Sequence, residues 1–288
     1  MKLALGTVQF GLDYGVANAN GRVSLEEART IINRSHQLGI DTLDTAVAYG
    51  DSESVLGNLK VQSWKVITKL PTVPENCKNI TRWVKEQVSE SLNRLQLNRA
   101  YGLLLHRPNQ LHESYGPDLF AALTSLKASG LVNKIGVSVY GVEELSELYD
   151  KYVFDLVQAP LNILDRSLID SGWAERLQND GVEVHTRSAF LQGLLLMPKG
   201  KRPIKFERWD DIWTEWDNWL RETGLTPLEA CLRYATGLDC VDRVVVGVNT
   251  VDQLDEIMGA LAGNLTSLPH FKKIEDNRLI NPSTWNQL

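Results

Sequence analysis

The sequence predicts an α/β protein folded as a (β/α)8 barrel, the TIM-barrel architecture. Eight short apolar runs alternate with helical patterns from the start of the chain to its end. Most of these runs are continuously apolar, which is typical of parallel strands covered on both faces. A length of 288 residues suits one such barrel, and no Pro/Gly/Ser-rich linker interrupts it, so we expect one domain over residues 1–288. A doubly wound open sheet is the alternative.

The elements follow in order along the chain. The predicted strands cover residues 2–8, 42–46, 65–70, 101–106, 134–139, 155–161, 182–189 and 243–248. Two helices have start signals, because Ser24 with Glu27 has capping-box spacing and Thr226-Pro227 with Glu229 repeats it. Further helices are expected near residues 79–96, 118–129, 142–150, 168–179 and 251–261.

An insertion at about residues 197–224 separates the last two predicted strands. Its tryptophans recur every three or four residues and therefore share one helix face. They are Trp209, Trp213, Trp216 and Trp219. This spacing favours packing of the helix against the barrel; a lid over the active site is the alternative.

Composition excludes several classes of protein. The formal net charge is −6 with acids and bases interspersed, so no surface for nucleic acid or anionic lipid is indicated. The three cysteines lack CxxC spacing and suit a reducing compartment. Gly6 and Gln9 interrupt any signal-peptide core, and no apolar run is long enough to span a bilayer. We therefore expect a cytoplasmic protein without nucleic-acid or membrane partners.

Three neighbouring predicted strands end in titratable groups. Asp44 lies near the end of the second strand, Tyr49 follows it, Lys69 closes the third and His106 closes the fourth. Active sites of barrels lie at this end. Each group alone has an ordinary structural interpretation, as a turn cap, a loop aromatic, a snorkelling lysine or a structural histidine. Their common position favours a shared site.

The combination has a chemical logic. A lysine drawn inside the barrel needs a counter-ion, which Asp44 can supply. The ammonium would then favour the phenolate form of Tyr49, so that the phenol becomes a competent proton donor to a carbonyl oxygen. His106 can hold the same oxygen by a hydrogen bond. The set includes no nucleophile and no metal ligands, so another group must supply the electrons.

The sequence resembles the aldo-keto reductases over essentially its whole length. The family's Asp-Tyr-Lys-His tetrad matches Asp44 and Tyr49 in "DTAVAYG", Lys69 in "VITKL" and His106 in "LLLHRP". The resemblance implies hydride transfer between a nicotinamide dinucleotide and a small-molecule carbonyl substrate, without a metal. Tyr49 would donate the proton, Lys69 would favour the phenolate form of Tyr49, and Asp44 would pair with Lys69.

The resemblance also implies a set of cofactor-binding residues. The motifs that carry it are "LGTVQFG", "KIGVSVY", "LVQAPLN", "HTRSAFLQGLLL" and "VVVGVNTVDQLDEI". Gly6 and Thr7 would lie beside the cofactor, Ser138 and Gln158 would hold the carboxamide, and Arg187 would stack on the nicotinamide. Ser188, Phe190, Gln192, Gly193 and Leu194 would line the pyrophosphate, and Gly247, Asn249, Gln253 and Glu256 the adenosine.

Four positions depart from the family pattern, and one of them is Arg187, which stands where many relatives have a tyrosine that stacks on the nicotinamide. Val139 replaces an asparagine that contacts the carboxamide, Leu161 replaces a tyrosine, and Ile257 replaces the terminal asparagine of the adenosine segment.

The cofactor prediction depends on a basic loop, residues 197–208, "MPKGKRPIKFER". The segment 247–257 has no basic residue, which by itself favours NADH. The basic loop directly follows the pyrophosphate motif, so its cations could reach the 2′-phosphate of NADPH. We predict NADPH, with Lys201, Arg202 and Lys205 as its contacts; NAD is the alternative cofactor, and a solvated loop is the alternative interpretation.

The polar loop after the first strand offers Gln9, Asp13, Tyr14, Asn18 and Asn20. Such a mouth suits a hydroxyl-rich, sugar-like carbonyl compound. Two other functions stay open. One is a regulatory barrel that binds the cofactor with little turnover, and the other is a lyase or isomerase that forms a Schiff base on Lys69.

Overall fold

The computed structural model describes residues 1–16, 18, 21–271 and 276–288. Eight parallel strands pair in chain order, and β1 closes the sheet by pairing with both β2 and β8. The strands are β1 (Leu3–Gly6), β2 (Thr42–Asp44), β3 (Lys65–Leu70), β4 (Ala100–Leu105), β5 (Val132–Ser138), β6 (Leu156–Pro160), β7 (Glu183–Arg187) and β8 (Arg243–Gly247). This closed barrel confirms the predicted fold and excludes the open sheet, whose edge strands would not meet.

The predicted strands differ from the observed ones mainly at their carboxyl ends. β2 ends at Asp44, although the prediction ran to Ala46. Thr45 and Ala46 remain fully buried after the ladder has ended. Because an apolar run reports burial and not pairing, the sequence could not separate the strand from the buried turn that follows it.

Helices lie between the strands. They are α1 (Val8–Gly11), α2 (Leu25–Gln37), α3 (Ser52–Asn58), α4 (Ile80–Leu95), α5 (Gly116–Ala128), α6 (Val142–Leu148), α7 (Ser167–Asp170), α8 (Trp173–Asn179), α9 (Asp210–Thr223), α10 (Pro227–Thr236) and α11 (Val251–Ala260). Short 3-10 helices cover Pro108–His112, Leu191–Leu196, Ile204–Trp209 and Pro282–Gln287.

The two predicted capping boxes differ in the structure. Thr226 and Glu229 form the complete reciprocal box at α10. At α2, Ser24 accepts from the Glu27 backbone N–H, but the Glu27 carboxylate accepts from the backbone N–H of Val251. That bond ties α2 to the start of α11. The helix predicted over 168–179 is divided into α7 and α8, because Gly172 takes a left-handed φ of 78° between them.

The insertion packs through its tryptophans. Trp213, Trp216 and Trp219 of α9 are buried. The indole N–H of Trp216 donates to the Leu195 carbonyl oxygen, and its ring stacks on Trp219 with centroids 5.6 Å apart. The apolar face of α9 is therefore covered, as the packing interpretation expects.

Within the described ranges, the structure has no helix long and apolar enough to cross a membrane. It also brings together no three His, Cys, Asp or Glu residues that could hold a metal ion in that part of the chain. The cysteines Cys77, Cys231 and Cys240 are free thiols.

Candidate active site

A cavity of about 610 Å³ opens at the carboxyl ends of the strands, within the size range of small-molecule sites. Its wall contains most of the predicted site residues: Gly6, Thr7, Asp44, Tyr49, His106, Ser138, Gln158, Arg187, Ser188, Phe190, Gln192, Gly193, Gly247, Asn249, Gln253 and Glu256. Lys69, Leu194, Lys201, Arg202 and Lys205 are the predicted residues that do not line it.

Lys69 carries a deeply buried charge behind this wall. Its side chain is 1% exposed and that of Asp44 is 5% exposed. Lys69 Nζ donates to Asp44 Oδ1 at 2.6 Å and to the Thr45 carbonyl oxygen at 3.0 Å, and it lies 3.4 Å from Tyr49 Oη. Burial alone would lower the pKa of Lys69, but the charges of Asp44 and Tyr49 and hydrogen bonds to both raise it above its usual value. Lys69 is therefore an ammonium at neutral pH.

Asp44 has a second partner across the barrel. Its Oδ2 accepts a 2.7 Å hydrogen bond from Gln158 Nε2. Gln158 Oε1 in turn accepts from the Ser138 hydroxyl at 3.0 Å. These two bonds fix which end of the Gln158 amide is the donor. A continuous chain therefore runs from Ser138 through Gln158 and Asp44 to Lys69.

Tyr49 is held by a tight turn after β2. The backbone N–H of Tyr49 donates to the Ala46 carbonyl oxygen, and the Tyr49 carbonyl accepts from Ser52. Gly11 of α1 packs directly against this turn, where an added Cβ would lie 1.8 Å from the Tyr49 carbonyl oxygen. Glycine at position 11 thus allows the close approach that positions the phenol.

His106 contacts Tyr49 edge to face, with ring centroids 5.7 Å apart and an interplanar angle of 83°. The pKa of His106 is lowered to about 4, first by burial and then by the positive charges of Lys69, Arg107 and Arg187, against the opposing effect of Asp44. The imidazole is therefore neutral at pH 7 and has one N–H to donate and one nitrogen to accept.

Arg187 points into the cavity but is already in contact with neighbouring groups. It donates to the Val139 carbonyl oxygen at 3.0 Å and to Ser188 Oγ at 3.2 Å. Its Cζ lies 4.9 Å from the centre of the Tyr140 ring. Tyr140 and Arg107 line the cavity as well and were missed from the sequence. Their positions could have revealed them, because Arg107 and Tyr140 each follow closely after a strand end that the sequence motifs had already placed at the active site.

The loop after β7 has an unusual backbone. Ser188, Leu191 and Gln192 all have positive φ angles, of 67°, 48° and 54°, and Gly193 continues at 91°. Non-glycine residues in this region cost free energy and concentrate at ligand-binding sites. Leu194 does not line the cavity, and its side chain is fully buried in the hydrophobic core.

Two polar atoms on or near the β8 side of the cavity lack partners. Gln9 Oε1 and Asn249 Oδ1 are buried without a hydrogen bond among the residues that the structure describes. Both residues line the cavity, next to Gln253 and Glu256. Unsatisfied buried oxygens are rare and expect a donor, so this wall suits a polar ligand such as a dinucleotide.

The basic loop does not supply the predicted cations to the cavity. Arg202 donates to both carboxylate oxygens of Asp217, at 3.2 and 2.8 Å, and its side chain is only 7% exposed. Lys205 Nζ donates to the Trp285 carbonyl oxygen at 2.8 Å. Lys201 is exposed away from the wall. The prediction from charge pattern placed these groups on the dinucleotide, whereas the fold engages two of them with the insertion and the carboxyl-terminal segment.

The polar loop after β1 partly reaches the cavity. Gln9, Tyr14 and Asn18 line it, and Tyr14 Oη accepts from Gln192 Nε2 at 3.1 Å. Asp13 is not on the wall; its carboxylate accepts from the Asn18 amide. Asn20 lies outside the described residues.

Comparison with known proteins defines the class. Residues 2–275 match the model of the Aldo/keto reductase family. The chain therefore belongs to the aldo/keto reductase family, and it is an oxidoreductase that acts on carbonyl compounds with a nicotinamide cofactor.

Among curated relatives, the chain is 26% identical to the NADH-specific methylglyoxal reductase of Escherichia coli, over 92% of this chain and 91% of that protein. It is 30% identical to the methylglyoxal reductase DkgA of Salmonella typhimurium, over 52% of this chain and 53% of that one. A solved aldo-keto reductase from Bacillus halodurans in its holo form superposes with a TM-score of 0.73 at 24% identity, covering 92% and 88% of the two chains. This structural likeness concerns the fold alone.

Proposed function

We propose that this protein reduces an aldehyde or ketone to the alcohol, with Tyr49 as the proton donor. The observation that carries the proposal is the contact of a buried, charged Lys69 with both Asp44 and the Tyr49 phenol, at 2.6 and 3.4 Å. A reduced nicotinamide cofactor supplies the hydride when it is bound.

The residues of the chain then divide the remaining work. Tyr49 transfers its phenolic proton to the carbonyl oxygen as negative charge develops there. The Lys69 ammonium stabilises the phenolate that is left, and it can do so because it remains charged at neutral pH. Neutral His106 donates an N–H to the same oxygen and orients the carbonyl. Asp44 acts through Lys69, which it holds in position.

These contacts disfavour the two other functions. A Schiff base needs an uncharged lysine amine, but the pKa of Lys69 is raised and its nitrogen faces Asp44, Thr45 and Tyr49. A regulatory barrel with little turnover would not require a positioned proton donor, so the assembled tetrad argues against it.

For the cofactor, we propose that Ser138 and Gln158 hold the nicotinamide carboxamide and that the loop 188–193 and Asn249 receive the phosphates and adenosine. The resemblance of the motifs, the strained loop and the unpartnered Asn249 oxygen support this assignment.

We propose NADH as the preferred cofactor, in place of the NADPH predicted from the sequence. Glu256 lines the β8 side of the cavity, and the only cations on the wall among the described residues are Arg107 and Arg187. A carboxylate near the adenosine ribose suits its hydroxyl groups and repels a 2′-phosphate. The relative named as NADH-specific agrees with this choice.

For the substrate, we propose a small oxygenated carbonyl compound, with sugar-like molecules included. Gln9, Tyr14 and Asn18 give the mouth of the cavity a polar wall, which suits a ligand with hydroxyl groups. If simple aromatic aldehydes were reduced far more efficiently than any hydroxylated carbonyl compound, this assignment would fail.

The experiment that tests the reaction is Tyr49→Phe, assayed by cofactor oxidation with a panel of carbonyl compounds. Loss of the proton donor should lower kcat by at least about 10²-fold. Dinucleotide affinity, measured by fluorescence titration, should change little, because the substitution keeps the ring. A Tyr49→Phe variant with near-normal turnover would refute the proposed mechanism.

A further inference from the structure

Two arginines that take no part in the proposed proton transfer lie over one tyrosine on the cavity wall. The Cζ atoms of Arg107 and Arg187 are each 4.9 Å from the centre of the Tyr140 ring. All three residues line the cavity and come from the carboxyl ends of β4, β7 and β5. Cation–π contacts of this kind hold guanidinium groups in place without neutralising their charge.

Neither charge is paired with a carboxylate. Among the described residues, Arg107 and Arg187 have no salt bridge, whereas Arg202 is bound by Asp217. Arg187 donates only to the neutral oxygens of Val139 and Ser188. The acids in the neighbourhood have other partners, since Glu144 accepts from the Tyr140 N–H and Asp165 from Ser167.

The surroundings of the reacting carbonyl are therefore positive. The charges of Lys69, Arg107 and Arg187 all lower the pKa of His106, and the charge of Asp44 opposes them. Asp44 is bound to Lys69 and Asp165 is within electrostatic reach of Arg187, so Arg107 is the positive charge on this wall that has no acidic partner among the described residues. Arg187 is half-buried, and a guanidinium in that position without a counter-ion is costly, so an anionic ligand would remove that cost.

The position of Arg107 separates this charge from the dinucleotide phosphates. The strand order β1 to β8 around the closed barrel puts β4 opposite β8. The proposed phosphate and adenosine residues follow β7 and β8, whereas Arg107 follows His106 at the end of β4. Its guanidinium is exposed at the substrate side of the cavity.

We propose that the natural substrate is an anionic carbonyl compound, whose carboxylate or phosphate is bound by Arg107 and Arg187 while its carbonyl faces Tyr49 and His106. This inference rests on the proposed reductase function and narrows its substrate class. The guanidinium fork matches both kinds of oxyanion, so the two sources must be distinguished by experiment.

The test compares acids with their neutral counterparts at saturating cofactor. The probes are a series of ω-oxo acids of increasing chain length, each beside its methyl ester, and glyceraldehyde 3-phosphate beside glyceraldehyde. We expect kcat/KM for the best anion to exceed that of its neutral counterpart by at least about 10-fold. Preference within the acid series identifies a carboxylate, and preference for the phosphate ester identifies a phosphate. The anion's kcat/KM should also fall as salt rises, while that of the neutral counterpart stays constant.

Variants of Arg107 test whether this residue causes the preference for anionic substrates. Arg107→Gln should reduce the anion-to-neutral ratio by at least about 10-fold, and Arg107→Lys should retain part of it by keeping the charge. The matched control is Arg99→Gln, which removes an exposed arginine just before the amino end of the same strand β4 and should leave the ratio unchanged.

The outcomes separate the two proposals. If neutral carbonyl compounds are reduced but no anion is preferred, or if Arg107→Gln leaves the ratio unchanged, the anionic-substrate inference is overturned and the reductase function stands. If neither acids nor neutral compounds are reduced, the reductase function itself fails and the inference fails with it.

Discussion

Asp44→Asn should be far more destabilising than its small change of shape suggests. The substitution leaves the Lys69 ammonium inside the barrel, where its side chain is 1% exposed, without the carboxylate 2.6 Å away. Breaking a buried ion pair from one side typically costs about 3–5 kcal/mol, because the remaining charge is uncompensated. Lys69 keeps the Thr45 carbonyl oxygen and Tyr49 Oη as partners, so we expect a loss near the lower end, about 3 kcal/mol.

The assay is the free energy of unfolding in urea, measured from neutral to alkaline pH. In the native protein the pKa of Lys69 is raised, so its stabilising contribution is present below the unfolded value of about 10.4 and is lost only above the folded value. In the variant, burial without Asp44 lowers the pKa of Lys69 instead. The penalty should therefore shrink as pH rises toward the unfolded value, since the folded protein can then hold the amine uncharged.

Asp51→Asn provides a matched control at the protein surface. Asp51 pairs with Arg22 at 2.8 Å, but the side chains of Arg22 and Asp51 are 53% and 70% exposed. Removing this pair should cost at most about 1 kcal/mol. The double variant Asp44→Asn/Lys69→Met should recover part of the single variant's loss, because it also removes the charge. A single variant no less stable than Asp51→Asn, or a double variant less stable than the single one, would refute the reasoning.

Two further outcomes concern cofactor choice and pH. The Michaelis constant for NADH should be at least about 10-fold lower than that for NADPH. The variant Glu256→Gln should reduce this difference, because it removes a charge that repels the 2′-phosphate of NADPH. Equal Michaelis constants for the two cofactors, before and after the change, would contradict the NADH proposal. Because the pKa of His106 is about 4, kcat/KM should show no histidine step between about pH 6 and pH 8 and should fall only as pH approaches the lower value. A step near the usual histidine pKa of about 6.5 would show that the imidazole titrates as a solvated group.

The proximity of Asp44, Tyr49, Lys69 and His106 could be predicted from the sequence because it depends on a regular property of the fold. Asp44 and Lys69 stand at the ends of successive parallel strands, and in a barrel such ends meet. The contacts of Arg202 could not be predicted in the same way. Its charge pattern fits a solvated loop, a phosphate site or an ion pair equally well, and Asp217 became its partner only through the packing of α9. Tyr140 was missed because its partners Arg107 and Arg187 are distant from it in sequence.

Asp44 also shows that a structure can reveal more partners of a residue than a sequence motif indicates. Sequence reasoning assigned this carboxylate to Lys69 and assigned Gln158 separately to the cofactor. In the barrel, Asp44 Oδ1 binds Lys69 and its Oδ2 binds Gln158 Nε2, across 114 residues of sequence. The bond to Gln158 leaves Gln158 Oε1 facing Ser138, so one carboxylate orients both the ammonium beside Tyr49 and the amide proposed to hold the nicotinamide. A carboxylate suits this position because its two oxygens can accept from both donors at once, whereas the amide of an asparagine could accept with only one of its two terminal atoms.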